Sequence, residues 1–270
     1  KSVKKETSLN WSAAIKPILT LVAFAFLFLI IRHSVLSKIA SGDPSIADNL
    51  LMAAKSYDQK FATSIMILGM YLKLLFIPHP LVFDYSFNQI PLVGMGNIWF
   101  ILSLAIHIGL LLWAVLLWKK NKLLSFTILF YFISMSIYAN IFYMIGSSFG
   151  ERFLYTASFG FCMAVAYALS LLSKNQNAET VSSFFKTNLN VFLILFPVAG
   201  AFVYKTITRN TVWKSNYTLY ANDVNLSPNS TRTHYYYGNL LGKDDFQNGK
   251  TDQEKDSIQK LALSELEKSV

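Results

Sequence analysis

The chain has 270 residues, of which 53% are hydrophobic and 14% are charged, and its formal net charge is +9 at pH 7. Soluble domains usually carry about a quarter charged residues, so this composition excludes an ordinary water-soluble domain. The apolar residues come in long runs, and most Lys and Arg residues lie between the runs. This pattern predicts a protein that crosses a membrane several times and ends in a polar tail. No basic stripe with interleaved aromatic residues stands out, so we expect no nucleic-acid partner.

Long apolar runs recur along the chain, and a transmembrane helix needs about 20 such residues. Runs of about this length occupy residues 17–36, 97–118, 123–145, 153–172 and 188–207. A further run, residues 61–78, is also apolar but contains Lys73. We therefore expect an all-α fold, in which residues 1–208 form a polytopic membrane helix bundle.

Basic residues predict the orientation, because loops rich in Lys and Arg stay in the cytoplasm. The start of the chain and the turn after Trp118 are rich in lysine, so the loop 146–152 and everything after residue 207 should face the other side. A full crossing by residues 61–78 would break this alternation, and a Lys inside a span is costly. We therefore predict that residues 48–93 form a non-spanning arm and loop on the outer face. The alternative is that the start of the chain lies outside.

Two polar stretches interrupt the apolar runs. Residues 78–91 contain three prolines, so they cannot form one helix and are predicted to be an irregular aromatic loop. Such a loop often carries function, and an aromatic belt at the membrane interface is the alternative. Glu151 and Arg152 stand next to each other between two runs. Charges at a bilayer boundary are costly unless they are paired, hydrated or used, so this pair either binds an anion such as a lipid phosphate or only caps a helix.

After residue 208 the chain becomes polar, and its remaining apolar residues recur at helical spacing. Three helices are predicted, one ending before Pro228 and the others covering residues 233–241 and 257–270. Gly238 and Ala262 are the small residues that would let paired helices approach closely. This pattern resembles a tetratricopeptide (TPR) unit, although the insert 243–255 is longer than the usual turn. Residues 209–270 are therefore predicted to be the start of a TPR-like repeat domain.

Three motifs together resemble a known family. They are residues 84–91 (DYSFNQIP) after a leucine-rich helix, residues 151–155 (ERFLY), and Arg209-Asn210 followed by Trp213. In this order and spacing they resemble the transmembrane-and-TPR-repeat-containing (TMTC-type) protein O-mannosyltransferases and their bacterial relatives, which belong to the GT-C class of glycosyltransferases. On this resemblance, the chain is a fragment that covers the C-terminal half of the membrane domain and the first TPR unit.

The resemblance implies an integral membrane enzyme that moves a sugar, in this family mannose, from a polyprenyl- or dolichyl-phosphate carrier to hydroxyl groups of a protein on the non-cytoplasmic side. The partners it implies are the lipid bilayer, the lipid-linked sugar and an acceptor protein held by the TPR-like repeats. It implies no cofactor in this stretch, since the lipid-phosphate-linked sugar is the donor substrate, and it leaves metal dependence open. The catalytic acidic loop of the family would lie upstream of Lys1, so this fragment is expected to be inactive alone.

Transfer of a sugar from a phosphate carrier needs positive charge close to the departing phosphate. Arg152 is our candidate, because its planar guanidinium donates two parallel hydrogen bonds to phosphate oxygens and stays protonated. Glu151 would orient Arg152, or pair with it in the empty site. Lys73 and His79 would add positive charge to the donor-phosphate site, and contact with lipid headgroups is their alternative role.

Asp84, Tyr85 and Tyr155 are the candidates for contact with the sugar or the acceptor. For the two tyrosines, a place in the interfacial aromatic belt is the alternative. His107 and Asn140 lie inside predicted spans, and we expect them to satisfy each other or backbone groups between helices. The sequence contains no His, Cys or carboxylate spacing typical of a metal site.

Two other classes of protein compete with the glycosyltransferase. One is a membrane-anchored TPR scaffold for protein–protein interaction, and the other is a transporter fragment. A transporter predicts inverted repeats and broken helices that meet at the bilayer midplane. The Lys-, Asn- and Ile-rich composition favours a bacterial inner membrane over the endoplasmic reticulum, with the tail on the periplasmic or lumenal side.

Overall fold

The computed structural model describes residues 11–36, 45–173 and 180–269, and each regular element in these ranges is a helix. The all-α fold class predicted from the sequence is confirmed. The chain divides into two compact units, Lys1–Asp43 and Pro44–Val270. In the first unit the described helix is α1 (Trp11–Leu36), which contains the predicted run 17–36 without a break.

The second unit opens with the helices of the predicted membrane region. These are α2 (Tyr57–Phe76), α3 (Ile98–Leu117), α4 (Lys122–Ser136), α5 (Leu154–Leu171), α6 (Val181–Thr187) and α7 (Leu189–Val212). Within the described part of the chain, 3 helices are long and apolar enough to cross a membrane, and they cover Ile98–Leu117, Glu151–Leu171 and Leu189–Val212. Their length and composition support a membrane protein.

Helix α2 lies in the core of this bundle. Its residues 62–68 are continuously buried, and Tyr71 is fully buried. It approaches α3 closely at Gly69, where an added Cβ would lie 2.8 Å from the Ser103 hydroxyl oxygen. Small residues permit such close helix contacts in membrane bundles. That residues 48–93 do not cross the membrane stays a prediction, but α2 packs against neighbouring helices and does not lie free on the surface.

The prediction of one membrane span over residues 123–145 is wrong, because α4 ends at Ser136 after 15 residues. Four residues further on, Asn140 keeps the helix from continuing to residue 145. Its φ angle of 55° is left-handed, a conformation that Asn tolerates better than most residues and that an α-helix cannot include. Its side chain accepts a hydrogen bond from the Ile145 backbone N–H at 2.9 Å and donates one to the Ser147 carbonyl at 3.1 Å. These bonds stabilise the turn that follows α4.

His107 and Asn140 satisfy their hydrogen bonds separately and do not bind each other. Asn140 also accepts a hydrogen bond from the Asn49 side chain at 3.0 Å. The His107 ring lies 3.1 Å from the Tyr131 hydroxyl and 2.7 Å from the Ser103 carbonyl oxygen. Both residues therefore meet the general requirement that buried polar groups find partners.

The polar tail forms four helices within the described residues. They are α8 (Asn216–Leu226), α9 (Thr231–Leu241), α10 (Asp244–Gln247) and α11 (Asp252–Glu267). The third predicted helix begins before residue 257, because Thr251 and Glu254 form a capping box at the start of α11. The predicted insert therefore contains α10 and the first turn of α11. The TPR assignment and the domain boundary at residue 208 stay predictions.

Helices α9 and α11 pack closely at Gly238. A Cβ added there would lie 2.9 Å from the Ala262 carbonyl oxygen and 2.7 Å from the Leu266 side chain. Ala262 is itself buried against α9. The prediction that Gly238 and Ala262 permit close approach of paired helices is confirmed.

A buried pair of titratable side chains also joins α9 to α11. His234 Nδ1 lies 2.5 Å from Glu265 Oε2, and His234 Nε2 faces the Pro228 carbonyl oxygen at 2.9 Å. Both ring nitrogens therefore lie within hydrogen-bond distance of an oxygen atom. Burial alone would raise the pKa of Glu265, but hydrogen bonds from Lys268 and His234 outweigh burial, and the pKa is lowered.

Gly238→Ala is expected to loosen the α9–α11 pair, because the new methyl group meets a backbone carbonyl that cannot rotate away. Overpacking of this kind destabilises by roughly 1–3 kcal/mol. Hydrogen exchange of the α9 and α11 amides would detect the change as faster exchange. Gly200→Ala is the matched control, since nothing lies within 4 Å of its Cβ position. Equal exchange in the two variants would contradict the close packing.

The α9–α11 pair is also expected to weaken in acid. A carboxylate whose pKa is lowered in the folded state stabilises the fold above its unfolded pKa, ordinarily 4.5 for Glu, and this contribution is lost as the pH falls through the folded value. Hydrogen-exchange protection of α11, corrected for intrinsic rates, should therefore fall as the pH drops below this range.

Two variants isolate the contribution of Glu265. Glu265→Gln should lower the protection at neutral pH and flatten its pH dependence, whereas Glu267→Gln, at an exposed position of the same helix, should leave both unchanged. An undiminished acid response in Glu265→Gln would show that other carboxylates cause it.

Candidate functional site

Residues 78–93, which we call the proline loop, dock onto the turn between α8 and α9. The Asn88 backbone N–H donates to the Asn229 carbonyl at 2.8 Å, and the Thr231 N–H donates to the Phe87 carbonyl at 2.8 Å. The Asn229 N–H also donates to the Gln89 side-chain oxygen at 3.0 Å. The predicted irregular loop is therefore held against the tail by its own main chain.

A bidentate ion pair between α7 and α8 forms a second contact of the proline loop with the tail. Arg209, near the end of α7, binds both carboxylate oxygens of Asp223 in α8 at 2.7 Å and 2.9 Å. The Asp223 carboxylate is fully buried and also accepts the Phe83 backbone N–H at 2.7 Å. The Asn222 side chain donates to it at 2.7 Å as well. Because a buried carboxylate needs several donors, this set of four bonds stabilises the charge and ties the proline loop to α7 and α8.

Asp84 takes part in a second ion pair between the loop and the tail. Its Oδ1 lies 3.4 Å from Arg232 Nη1, and its Oδ2 accepts bonds from the Ser230 hydroxyl at 3.0 Å and the Ser86 backbone N–H at 2.8 Å. Arg232 also binds Asp48, whose pKa is lowered by hydrogen bonds from Ser45 and Arg232. Both oxygens of Asp84 are therefore occupied by contacts that position the loop.

Glu151 binds the proline loop, so the prediction that it orients or pairs with Arg152 is wrong. One carboxylate oxygen of Glu151 accepts the Val82 backbone N–H at 2.7 Å and the Tyr85 hydroxyl at 2.9 Å. Glu151 and Arg152 are consecutive in a short 3-10 helix, where adjacent side chains point in different directions. Arg152 is exposed, with its guanidinium carbon 4.8 Å from the centre of the Phe153 ring. It forms no ion pair with any residue that the structure describes.

Tyr85 is a buried hydrogen-bond donor at this junction. Burial raises the pKa of its hydroxyl, and the neighbouring Glu151 carboxylate raises this pKa further. The hydroxyl lies 3.0 Å from the Pro80 carbonyl oxygen as well as close to Glu151. Tyr85 therefore holds Glu151 and the proline loop together.

Three of the predicted site residues, Lys73, His79 and Tyr85, line a common cavity of about 130 Å³ between α2 and the proline loop. Lys205 of α7 is not among the residues that line the cavity, but its Nζ lies 3.3 Å from His79 Nδ1. The cavity wall therefore carries one ammonium group and one imidazole, and a second ammonium group is hydrogen-bonded to that imidazole.

The structure does not bring all seven predicted residues together. Arg152 and Tyr155 do not line this cavity, and Tyr155 is 85% exposed. Asp84 is turned towards Arg232, and Glu151 reaches the cavity only through its bond to Tyr85. The predicted phosphate-binding set is thus divided. Lys73 and His79 line the cavity, whereas Arg152 is exposed and does not line it.

Lys205, Asp223 and Arg232 are residues that sequence reasoning missed. A signal for Lys205 was present: it precedes Arg209 by four positions, so the two share one face of α7. Lys205 bonds to His79 of the proline loop, and Arg209 pairs with Asp223, which in turn accepts the Phe83 backbone N–H of the loop. Asp223 and Arg232 act across long sequence separations, and no local pattern indicates their partners.

Comparison with known proteins identifies the same class as the sequence motifs. The chain is similar over most of its length to curated proteins named protein O-mannosyl-transferases, and the resemblance to the TMTC-type proteins is confirmed. No protein-family model matches the chain. No solved structure matches it either.

Three relatives illustrate the similarity. The Caenorhabditis elegans protein O-mannosyl-transferase F38B6.6 is 30% identical over 231 residues, which cover 84% of this chain and 31% of that protein. The Mus musculus protein O-mannosyl-transferase TMTC1 is 28% identical over 188 residues, 67% of this chain and 19% of its own length. The Homo sapiens protein O-mannosyl-transferase TMTC4 is 24% identical over 203 residues, 73% of this chain and 25% of its own length. The chain thus spans about a third or less of the length of these relatives.

Asp223→Asn is expected to release the proline loop. The amide keeps the shape of the side chain but removes its charge, which leaves the mostly buried Arg209 without a counterion. Loss of one partner of a buried ion pair costs roughly 3–5 kcal/mol. Hydrogen exchange at the amides of residues 82–90 should therefore become faster.

Asp256→Asn is the matched control for this variant. Its ion pair with Lys260 is solvent-exposed, and such pairs contribute at most about 1 kcal/mol. If the loop amides were equally protected in both variants, the Arg209–Asp223 pair would not be what holds the loop.

Proposed function

We propose that this chain is part of an integral membrane glycosyltransferase, which moves mannose from a polyprenyl- or dolichyl-phosphate carrier to hydroxyl groups of a protein. The observation that carries the proposal is the similarity to proteins named protein O-mannosyl-transferases, which extends over 84% of the chain for the Caenorhabditis elegans relative. The apolar helices of the bundle supply the membrane setting that a lipid-linked donor requires.

The distribution of charge around the proline loop supports this proposal. The acidic side chains Glu151, Asp84 and Asp223 are all bound to loop backbone N–H groups. The basic side chains Lys73 and Arg152 have no carboxylate partner among the described residues. Unpaired positive charge next to apolar helices favours an anionic ligand at headgroup depth, and a lipid phosphate is such a ligand.

In this proposal, Arg152 contacts the departing phosphate. Its guanidinium is exposed just before α5, where it can donate two parallel bonds to phosphate oxygens. The proline loop and the tail lie on the non-cytoplasmic side of the membrane, with the tail helices holding the acceptor protein. We assign the catalytic carboxylate to a region of the full-length protein outside this chain.

Arg152→Lys in the full-length protein is the test. Lysine keeps the charge but loses the planar fork, so mannosyl transfer to an acceptor peptide is expected to fall by about tenfold or more. Lys120→Arg is the control, because Lys120 is exposed in the turn after α3, far along the chain from the loop. Full activity in Arg152→Lys would contradict a bidentate phosphate contact. Absence of any transferase activity in the parent protein would favour the membrane-anchored scaffold.

A further inference from the structure

Lys73, His79 and Lys205 form a cluster of basic side chains that come from three separate segments. Lys73 lies in the last turn of α2, His79 in the proline loop and Lys205 in the second half of α7. Lys73 and His79 line the cavity of about 130 Å³, and Lys205 hydrogen-bonds to His79. None of the three is in an ion pair with another described residue.

The hydrogen bond between Lys205 and His79 determines what the cluster offers to a ligand. The Lys205 ammonium can only donate, so His79 Nδ1 accepts and the ring carries its proton on Nε2. The cluster therefore presents two ammonium groups and the Nε2–H group of His79, all of them donors. The single hydrogen of the Tyr85 hydroxyl on the same wall is already shared between two acceptors, Glu151 and the Pro80 carbonyl oxygen.

The electrostatic balance of the cavity favours an anion. The C-terminal end of α2 contributes partial negative charge, equivalent to about half an elementary charge. Two full positive charges, on Lys73 and Lys205, exceed it. The nearest carboxylate in the hydrogen-bond network, Glu151, is bound to the neutral donors Val82 and Tyr85, and its one negative charge together with that of the helix end is still smaller than the two positive charges. Positive charge remains, and at a bilayer boundary such charge is costly unless a ligand or water uses it.

Size and surroundings indicate the kind of anion. The cavity, of about 130 Å³, has room for a phosphate group. Large apolar side chains three and four residues after Lys73, at the end of α2, are exposed: Phe76 is 61% exposed and Ile77 is 59% exposed. An anion with an attached apolar chain satisfies both the basic cluster and these exposed side chains.

We propose that Lys73, His79 and Lys205 form a binding site for the phosphate group of a membrane lipid, with Lys205 as a previously unassigned contact. The site stands on the geometry of the cluster. It rests on the proposed function only for the further step that the bound lipid is the sugar donor.

Binding of dioctanoyl phosphatidic acid to the purified chain in detergent tests the site. Native mass spectrometry or calorimetry would measure its affinity against dioctanoylglycerol, which lacks the phosphate, and against inorganic phosphate, which lacks the chains. Phosphatidic acid is expected to bind more tightly than either. Lys205→Gln should weaken its binding by about tenfold, as expected for loss of one charge-assisted hydrogen bond, while Lys205→Arg should retain most of it.

Two further variants separate ligand contact from loop structure. Lys73→Gln removes a charge that forms no bond to the loop, so it should weaken phosphatidic acid binding without changing hydrogen exchange at residues 80–92. Lys214→Gln, at an exposed position just beyond α7, is the matched control and should bind normally. A result in which Lys73→Gln binds normally and Lys205→Gln only speeds loop exchange would overturn the proposal.

The remaining outcomes are equally decisive. Equal affinity for inorganic phosphate and phosphatidic acid would overturn the assignment to a lipid, and equal affinity for phosphatidic acid and dioctanoylglycerol would overturn the anion site. Because the assay requires no turnover, a full-length protein without transferase activity would leave the site in place and remove only its identification with the donor. Transferase activity without phosphatidic acid binding would support the proposed function and overturn the proposed lipid-phosphate site.

Discussion

The Arg209–Asp223 ion pair is the interaction on which the arrangement of the polar region depends. It connects the end of a helix of membrane-spanning length to the first helix of the tail, and the same carboxylate accepts the Phe83 amide of the proline loop. A buried charge is stable only when its donors are complete, so the three segments must be in place together. One carboxylate therefore joins the loop, α7 and α8.

Acidic and basic side chains make different contacts around the proline loop. Carboxylates bind backbone N–H groups of the proline loop, as Glu151 does with Val82 and Asp84 with Ser86. Two arginines, Arg209 and Arg232, complete the ion pairs of that framework. The lysines next to the cavity lie outside these pairs. Among the described residues, Lys73 on the cavity wall and Lys205 beside His79 thus have no carboxylate partner, and this is the physical basis of the proposed lipid-phosphate site.

Local patterns in the sequence predicted the features that depend on residues close together in the chain. Helical periodicity indicated the all-α fold and the helices of the tail, and Gly238 marked the close contact between α9 and α11. The span predicted at residues 123–145 failed because apolar composition does not reveal the left-handed turn at Asn140. The expected Glu151–Arg152 pair failed because neighbours in sequence do not face each other on a helix. Ion pairs between distant segments, such as that of Asp223, have no local signature at all.

The placement of Lys205 and Arg209 on one face of α7 has a mechanical consequence. A single residue step around an α-helix is about 100°, so any rotation of α7 about its axis would swing both side chains away from the proline loop at once. A rotation of α7 would therefore break the Lys205–His79 and Arg209–Asp223 bonds together.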